Sequence, residues 1–204
     1  DLKRLIAFSS ISHMGFVMLG IGSIVGVAGT VSPVGLTGAS LQMFPHGTIT
    51  GLLFLLVGIV YEKVHTRYIP DLGGLAGRMP LVASVFVIAG LASLGLPGLS
   101  GFVAEVLVFL GSFREFAWPT ALAAFGIVLA AGYILWMIER VLFGGARERF
   151  ASITDASFIE AVPLGLLVIS IVAVGVYPAV ITDVVDFGVS QIPHFAEELV
   201  GVSR

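Results

Sequence analysis

The chain has no cysteine among its 204 residues, which excludes disulfides, cysteine-ligated zinc, iron–sulfur clusters and thiol catalysis. Asparagine is also absent, so there is no acceptor for N-glycosylation. Charge is scarce. Asp, Glu, Lys and Arg make up 11% of the residues, against the roughly 25% that solvates the surface of a water-facing domain. Apolar residues take their place, at 57% of the chain with a mean hydropathy of +1.08. Such a composition suits a surface immersed in a lipid bilayer. The net charge of -3, with no basic cluster interleaved with aromatics, points away from nucleic acid. The first residue is Asp1, not Met, and no charged n-region or cleavage site follows. The chain is therefore read as carrying no signal peptide, and it is expected to be a fragment.

Charged residues divide the remainder into neutral stretches. None lies between Arg4 and Glu62, a stretch too long for one crossing, and the segment Gly29 to Gly38 (GTVSPVGLTG) reads as a turn within it. The expected fold class is all-α: a polytopic membrane protein of about five transmembrane helices. The spans fall at about 5–28, 36–61, 80–113, 119–138 and 161–182, with an interfacial tail at 183–204 that carries His194, Glu197 and Glu198. About 20 apolar residues cross the hydrocarbon core, and each stretch is long enough. Segments 62–78 and 139–160 read as polar loops. With five spans, Lys3, Arg4, Lys63, Arg67, Arg78, Arg140, Arg147 and Arg149 share one side, and only Arg114 and Arg204 fall on the other. Eight against two is a strong positive-inside bias, so residue 1 is expected on the cytoplasmic (or matrix) side and the C-terminus opposite.

The third span is unusual. Its 34 residues would measure about 50 Å as one helix, against a core of about 30 Å. At its centre stands Leu94-Gly-Leu-Pro-Gly-Leu-Ser-Gly101, where Pro97 removes a backbone donor and Gly95 and Gly98 remove resistance to bending. The economical reading is two half-helices joined by an unwound segment, an arrangement that marks ion paths in transporters; a plain proline kink is the alternative. Glu105 lies about two turns beyond the break and is the one acidic or basic residue deep within a span. A carboxylate there costs several kcal/mol unless it is neutralised, paired or hydrated. It reads either as a hydrogen-bonded tie between helices or as a group that takes up and releases protons. His46 follows Pro45 near the middle of the second span, with Thr48 and Thr50 beyond it. In the first span Ser9, Ser12 and His13 form a polar stripe. Two histidines and a glutamate at similar depth suggest a hydrated polar axis, although a single buried histidine is more often a packing residue. His65 and His194 lie outside the spans.

Other patterns carry less. Gly20, Gly22 and Gly26 have the wrong spacing for a nucleotide loop, and Gly22 with Gly26 reads as a helix-packing face. No metal-ligand spacing, nucleophile elbow or Ser-His-Asp pattern is present, and no residue points to redox catalysis.

Several segments, taken together, resemble one family. Asp1-Leu-Lys-Arg-Leu-Ile-Ala-Phe-Ser-Ser-Ile-Ser-His-Met-Gly-Phe16 is similar to a segment of the antiporter-like subunits of proton-pumping NADH:quinone oxidoreductase (respiratory complex I), specifically the chain 4 or chain M family. So are Tyr61-Glu-Lys-Val-His-Thr-Arg67 with Gly73-Gly-Leu75 and Met79-Pro80, Gly95-Leu-Pro-Gly98 with Gly101-Phe-Val-Ala-Glu105, and Arg140-Val-Leu-Phe-Gly144. The resemblance covers essentially the whole chain. It implies a subunit of about 14 helices built from two inverted five-helix repeats, of which this chain would supply helices 10 to 14. It implies proton translocation coupled to electron transfer elsewhere: NAD, FMN, iron–sulfur clusters and quinone belong to other subunits, and this chain itself holds no cofactor or metal. The implied partners are neighbouring antiporter-like subunits and other members of the membrane arm, the N-terminal half of the same subunit, and the bilayer. Glu105 matches the ionisable residue of the second broken helix, where relatives often carry lysine, and His46 matches a histidine of the central hydrophilic axis. His13 is the weaker relay candidate. The family's glutamate on helix 5 and lysines on helices 7 and 8 would lie upstream of Asp1. A sodium/proton antiporter or membrane-bound hydrogenase subunit shares the fold and is the alternative.

Overall fold

A computed structural model describes residues 1–24, 33–145, 147–189 and 192. Helix α1 (Leu2–Gly22) starts where the Asp1 carboxylate accepts the Arg4 backbone N–H, an N-cap for donors that have no partner inside the helix. Helix α2 (Pro33–Val64) follows, then two short 3₁₀ turns at Ile69–Asp71 and Leu75–Gly77. Helices α3 (Pro80–Ser93) and α4 (Ser100–Phe113) are the two halves of the interrupted span. Helix α5 (Ala117–Ile138) runs on through a π-turn, Glu139–Phe143, and a 3₁₀ turn at Glu148–Phe150 leads to α6 (Phe158–Val176) and α7 (Ala179–Val189). Among the described residues no strand occurs.

Helices α1, α2, α5 with its π-turn, and α6 are each long and apolar enough to cross a membrane. Helices α3 and α4, at 14 residues each, are apolar but too short to cross alone; placed end to end, their 28 residues would rise about 42 Å. The break between them falls at 94–99. Gly95 (φ +67°) and Gly98 (φ +89°) both take left-handed backbone, a conformation that costs a side-chain-bearing residue about 1–2 kcal/mol.

The sequence-based boundaries differ from the structure in several places. Pro33 begins α2, so 33–38 is helical and not turn; proline suits the first helical position, where its missing N–H would have no partner. The rest of that expected turn, residues 29–32, lies outside the described residues, as do 25–28 of the first span. The expected span 161–182 is two elements. Helix α6 begins three residues earlier, because Ser157 and Glu160 form a capping box, and it stops at Val176. Pro178 forces the stop, since the residue before a proline is pushed out of helical backbone, and Tyr177 sits at φ -130°, ψ 75°. Residues 179–189 of the expected last span and tail are helical. His194, Glu197 and Glu198 lie outside the described residues. The expected loop 139–160 is shorter than its charges suggest. The π-turn carries Arg140, whose guanidinium stacks 4.4 Å from the Trp136 ring and so lets the helix continue past its apolar stretch.

Helix α2 is the hub, packed against α1, α3, α4, α6 and α7. Where α2 crosses α4, a side chain at Gly38 would overlap the Leu107 and Val108 backbone. Such small-residue crossings suit a lipid-embedded bundle, which must gain its packing from van der Waals contact. In α1 the close approach is made by Gly20, against Gly35 and Ala39. Gly22 meets nothing within 4 Å, and Gly26 lies outside the described residues. The expected Gly22 packing face is thus replaced by Gly20, which lies on the opposite side of the helix, two residues and about 200° away.

The basic loops converge at one end of the bundle. Arg67 reaches Asp1 at 2.8 Å, and Lys63 reaches the Asp155 carbonyl at 3.1 Å and Glu160 at 3.5 Å. Arg147 and Arg149 donate to the carbonyls of Pro70 and Asp71. Asp155 accepts from the N–H groups of Leu81 and Val82, capping the start of α3. Arg114 ends α4 at the other end, two residues beyond Ser112, which donates to the Leu19 carbonyl.

Candidate functional site

Four helices deliver polar groups to one point. Helix α1 supplies Ser9 and His13, α2 supplies Gln42, His46 and Thr50, the end of α3 supplies Ser93, and α4 supplies Glu105. The spacing explains the convergence: 9 and 13, and 42, 46 and 50, recur every fourth residue and so lie on one helical face. Ile49, Leu53, Ala92 and Gly101 complete the lining of a cavity of about 10 Å³, the space of roughly one water molecule.

Glu105 is 4% exposed, His13 8% and Gln42 2%. Side chains on a helix lean towards its N-terminus, so the Glu105 carboxyl projects back towards the break at the start of α4. There it lies against Gly95, whose absent side chain makes the room, since a Cβ on Gly95 would overlap the carboxyl oxygen. The glycine of the break thus has two reasons to be glycine, its backbone conformation and the carboxyl packed upon it. Gly101 performs a similar service one turn before Glu105, backing on the Ala92 carbonyl. The break groups differ in this respect: Gly98 meets no such neighbour, and instead Gly175 of α6 backs on the Gly98 carbonyl and Leu99.

His13 occupies the middle of the cluster. Its Nδ1 lies 3.7 Å from Glu105 Oε1, beyond direct hydrogen-bond range, and its ring centroid is 5.7 Å from that of His46. His46 Nδ1 lies 3.3 Å from the Thr50 hydroxyl. Phe16 packs edge-on against His13 at 6.0 Å and against Phe109 at 5.4 Å, closing the cluster with apolar rings. The hydroxyls of Ser9 and Ser93 donate to the carbonyls of Ile6 and Gly90, both at 2.7 Å. Their hydrogens are therefore engaged, and the groups that can exchange protons here are Glu105, His13 and His46. Buried Nδ1 of His13 and Oε1 of Gln42 have no hydrogen-bond partner among the described residues.

The structure thus brings Glu105, His13 and His46 together at the break of Gly95, Pro97 and Gly98. Thr48 turns back to the carbonyls of Phe44 and Pro45, Ser12 faces a groove beside Tyr133, and His65 is exposed past the end of α2. Gln42 and Ser93 are additional members. Gln42 was readable from its place four residues before His46, whereas nothing in the sequence marks Ser93. Among the described residues no group of three or more His, Asp or Glu could hold a metal ion.

The family described as NADH:quinone oxidoreductase/Mrp antiporter, TM, matches residues 1–130. The chain is 41% identical over 193 residues to the NADH-quinone oxidoreductase subunit M of Rhodobacter capsulatus, covering 94% of this chain and 36% of that protein. It spans only about a third of the length of the curated relatives it matches. Among solved structures, a chain of respiratory complex I from Thermus thermophilus with bound NADH superposes with a TM-score of 0.81 at 32% identity, over 93% of this chain and 39% of that one. A chain of the Mrp complex from Dietzia sp. DQ12-45-1b shares the fold, with a TM-score of 0.78 at 19% identity over 91% of this chain and 42% of that one.

Proposed function

This chain belongs to the NADH:quinone oxidoreductase/Mrp antiporter transmembrane family, and from that premise we propose that it forms the C-terminal part of a proton-translocating membrane subunit of NADH:quinone oxidoreductase. In this reading residues 1–204 are one membrane domain that works with an N-terminal half of the same subunit and with other membrane-arm subunits. Redox chemistry, with its NAD, FMN, iron–sulfur clusters and quinone, takes place in other subunits. Residue 1 faces the cytoplasm or matrix, on the strength of the basic loops gathered at that end.

The observation that carries the proposal is the Glu105 carboxyl, buried in an apolar bundle against an unwound segment of backbone and facing His13 and His46. An isolated carboxylate at that depth is costly, and a proton shared with neighbouring imidazoles relieves the cost while making a path. Glu105 is the relay group at the end of that path, His13 the link, and His46 the connection towards the half-exposed face of α2. The alternative, a sodium/proton antiporter subunit, shares the fold, but the chain's 41% identity lies with a quinone oxidoreductase subunit against 19% with the Mrp chain.

The test is Glu105→Gln in the complete subunit within its assembled complex. Glutamine keeps the shape and the hydrogen bonding but cannot exchange a proton. Proton pumping should fall sharply while assembly is unchanged, and Glu105→Asp should retain part of it. If Glu105→Gln pumped normally and Glu105→Leu failed to assemble, the glutamate would be a structural tie and the assignment would be wrong.

A further inference from the structure

We propose that Gln42 is a positioning residue that holds one water molecule between Glu105 and His13, and that protons cross from carboxyl to imidazole through it. The inference rests on the proton-relay reading above and adds a binding site and a residue to it. Three structural features meet at one place. The cavity shared by Glu105, His13 and Gln42 has the volume of about one water molecule. Glu105 Oε1 and His13 Nδ1 are 3.7 Å apart, too far for a direct hydrogen bond, and a polar gap of that size is where a bridging water belongs. Two buried polar atoms of residues that line the cavity, His13 Nδ1 and Gln42 Oε1, have no partner among the described residues, and an unpaired buried acceptor costs about 1–3 kcal/mol.

One water answers all three. Its oxygen accepts the Glu105 hydroxyl hydrogen, one of its own hydrogens goes to His13 Nδ1, and the other goes to Gln42 Oε1. When the proton moves, the Glu105 O–H bond breaks as a water O–H forms, and the water O–H facing His13 breaks as Nδ1–H forms. The products are a carboxylate and an imidazolium, and the water again carries two hydrogens. An amide oxygen neither gains nor loses a proton in this step. Its contribution is to fix the second hydrogen so that the first points at the imidazole. The Ser9 and Ser93 hydroxyls already donate to backbone carbonyls, whereas Gln42 Oε1 is a buried acceptor with no partner among the described residues. The relevant neighbours from every packed element are therefore His13 from α1, His46 and Gln42 from α2, Ser93 from α3 and Glu105 from α4.

The test compares wild type, Gln42→Met and Gln42→Asn in the assembled complex, with Glu105→Gln measured in parallel. Methionine has a similar length and no acceptor of comparable strength, so proton-coupled turnover should fall about tenfold. The solvent deuterium isotope effect should rise, because an unoriented water slows the transfer itself, and asparagine should restore part of both. A purely structural role would leave the isotope effect unchanged. Normal pumping and a wild-type isotope effect in Gln42→Met, beside a dead Glu105→Gln, would overturn the water site alone. Normal pumping in Glu105→Gln would overturn the relay reading beneath it. A high-resolution cryo-EM map of the wild-type complex decides the matter even if Gln42→Met fails to assemble: density within about 3.2 Å of Gln42 Oε1 and His13 Nδ1 supports the proposal, and its absence sinks it.

Discussion

At the scale of single residues, the site is governed by who can lose a proton and who is held still. Glu105 has no covalent feature that distinguishes it from a surface glutamate; its chemistry comes from 96% burial against a glycine. The dependence on Gly95 is directly testable. Gly95→Ala places a methyl on left-handed backbone, at a cost of about 1–2 kcal/mol, and drives that methyl into the carboxyl oxygen. Proton pumping should fall well below wild type even in complexes that assemble, because the carboxyl is displaced from His13. Gly98→Ala, with the same backbone handicap and no carboxyl above it, should reduce stability and leave the coupled turnover of assembled complex close to wild type. Equal losses of pumping per assembled complex from the two substitutions would show that the carboxyl contact is unimportant.

At the scale of elements, side-chain caps decide where α1 and α6 begin, and a proline decides where α6 ends. The carboxylate of Asp155 spans three backbone donors, two of them at the start of α3, while its carbonyl receives Lys63 from the end of α2. One loop residue thereby fixes the first half of the broken span to the loop that leads into α6. Asp155→Ala should lower the thermal stability of the detergent-solubilised protein by an amount corresponding to a lost N-cap, about 0.5–2 kcal/mol. Asp155→Asn, which keeps an acceptor, should cost less. Reversed order, or no change in either, would mean that the loop is held by its arginine contacts instead. The same logic explains α6, whose start follows from Ser157 and Glu160 and whose stop follows from Pro178.

For the whole molecule, polarity is arranged end to end. Five basic side chains, Lys63, Arg67, Arg140, Arg147 and Arg149, make contacts at a single end of the bundle, and the outward faces of α5 and α6 carry bare apolar side chains such as Leu122, Phe125, Leu166 and Ile169. With five crossings, a cysteine at Thr66 and one at Ala117 should react with an impermeant thiol reagent from opposite sides, with Thr66→Cys protected in right-side-out vesicles. Labelling of both from the same side would mean that α3 and α4 turn back within the membrane without completing a crossing.

Much of this was written in composition and pattern. An 11% share of charged residues points to lipid, the positions of its prolines and glycines locate the break at 94–99, and the distribution of ten basic residues gives an expected orientation for the labelling to test. Those features are local or additive, so order along the chain is enough to read them. Only the tertiary structure decides that His13 stands between Glu105 and His46, since helix faces 33 to 92 residues apart meet through packing angles that no spacing encodes. The same holds for Ser93, an ordinary polar residue until the end of α3 meets the cavity lined by α1, α2 and α4. It holds too for Gly95, where the sequence predicts a flexible joint and the fold adds a carboxyl packed on it. Periodicity says which residues share a face; close packing between helices says what that face meets.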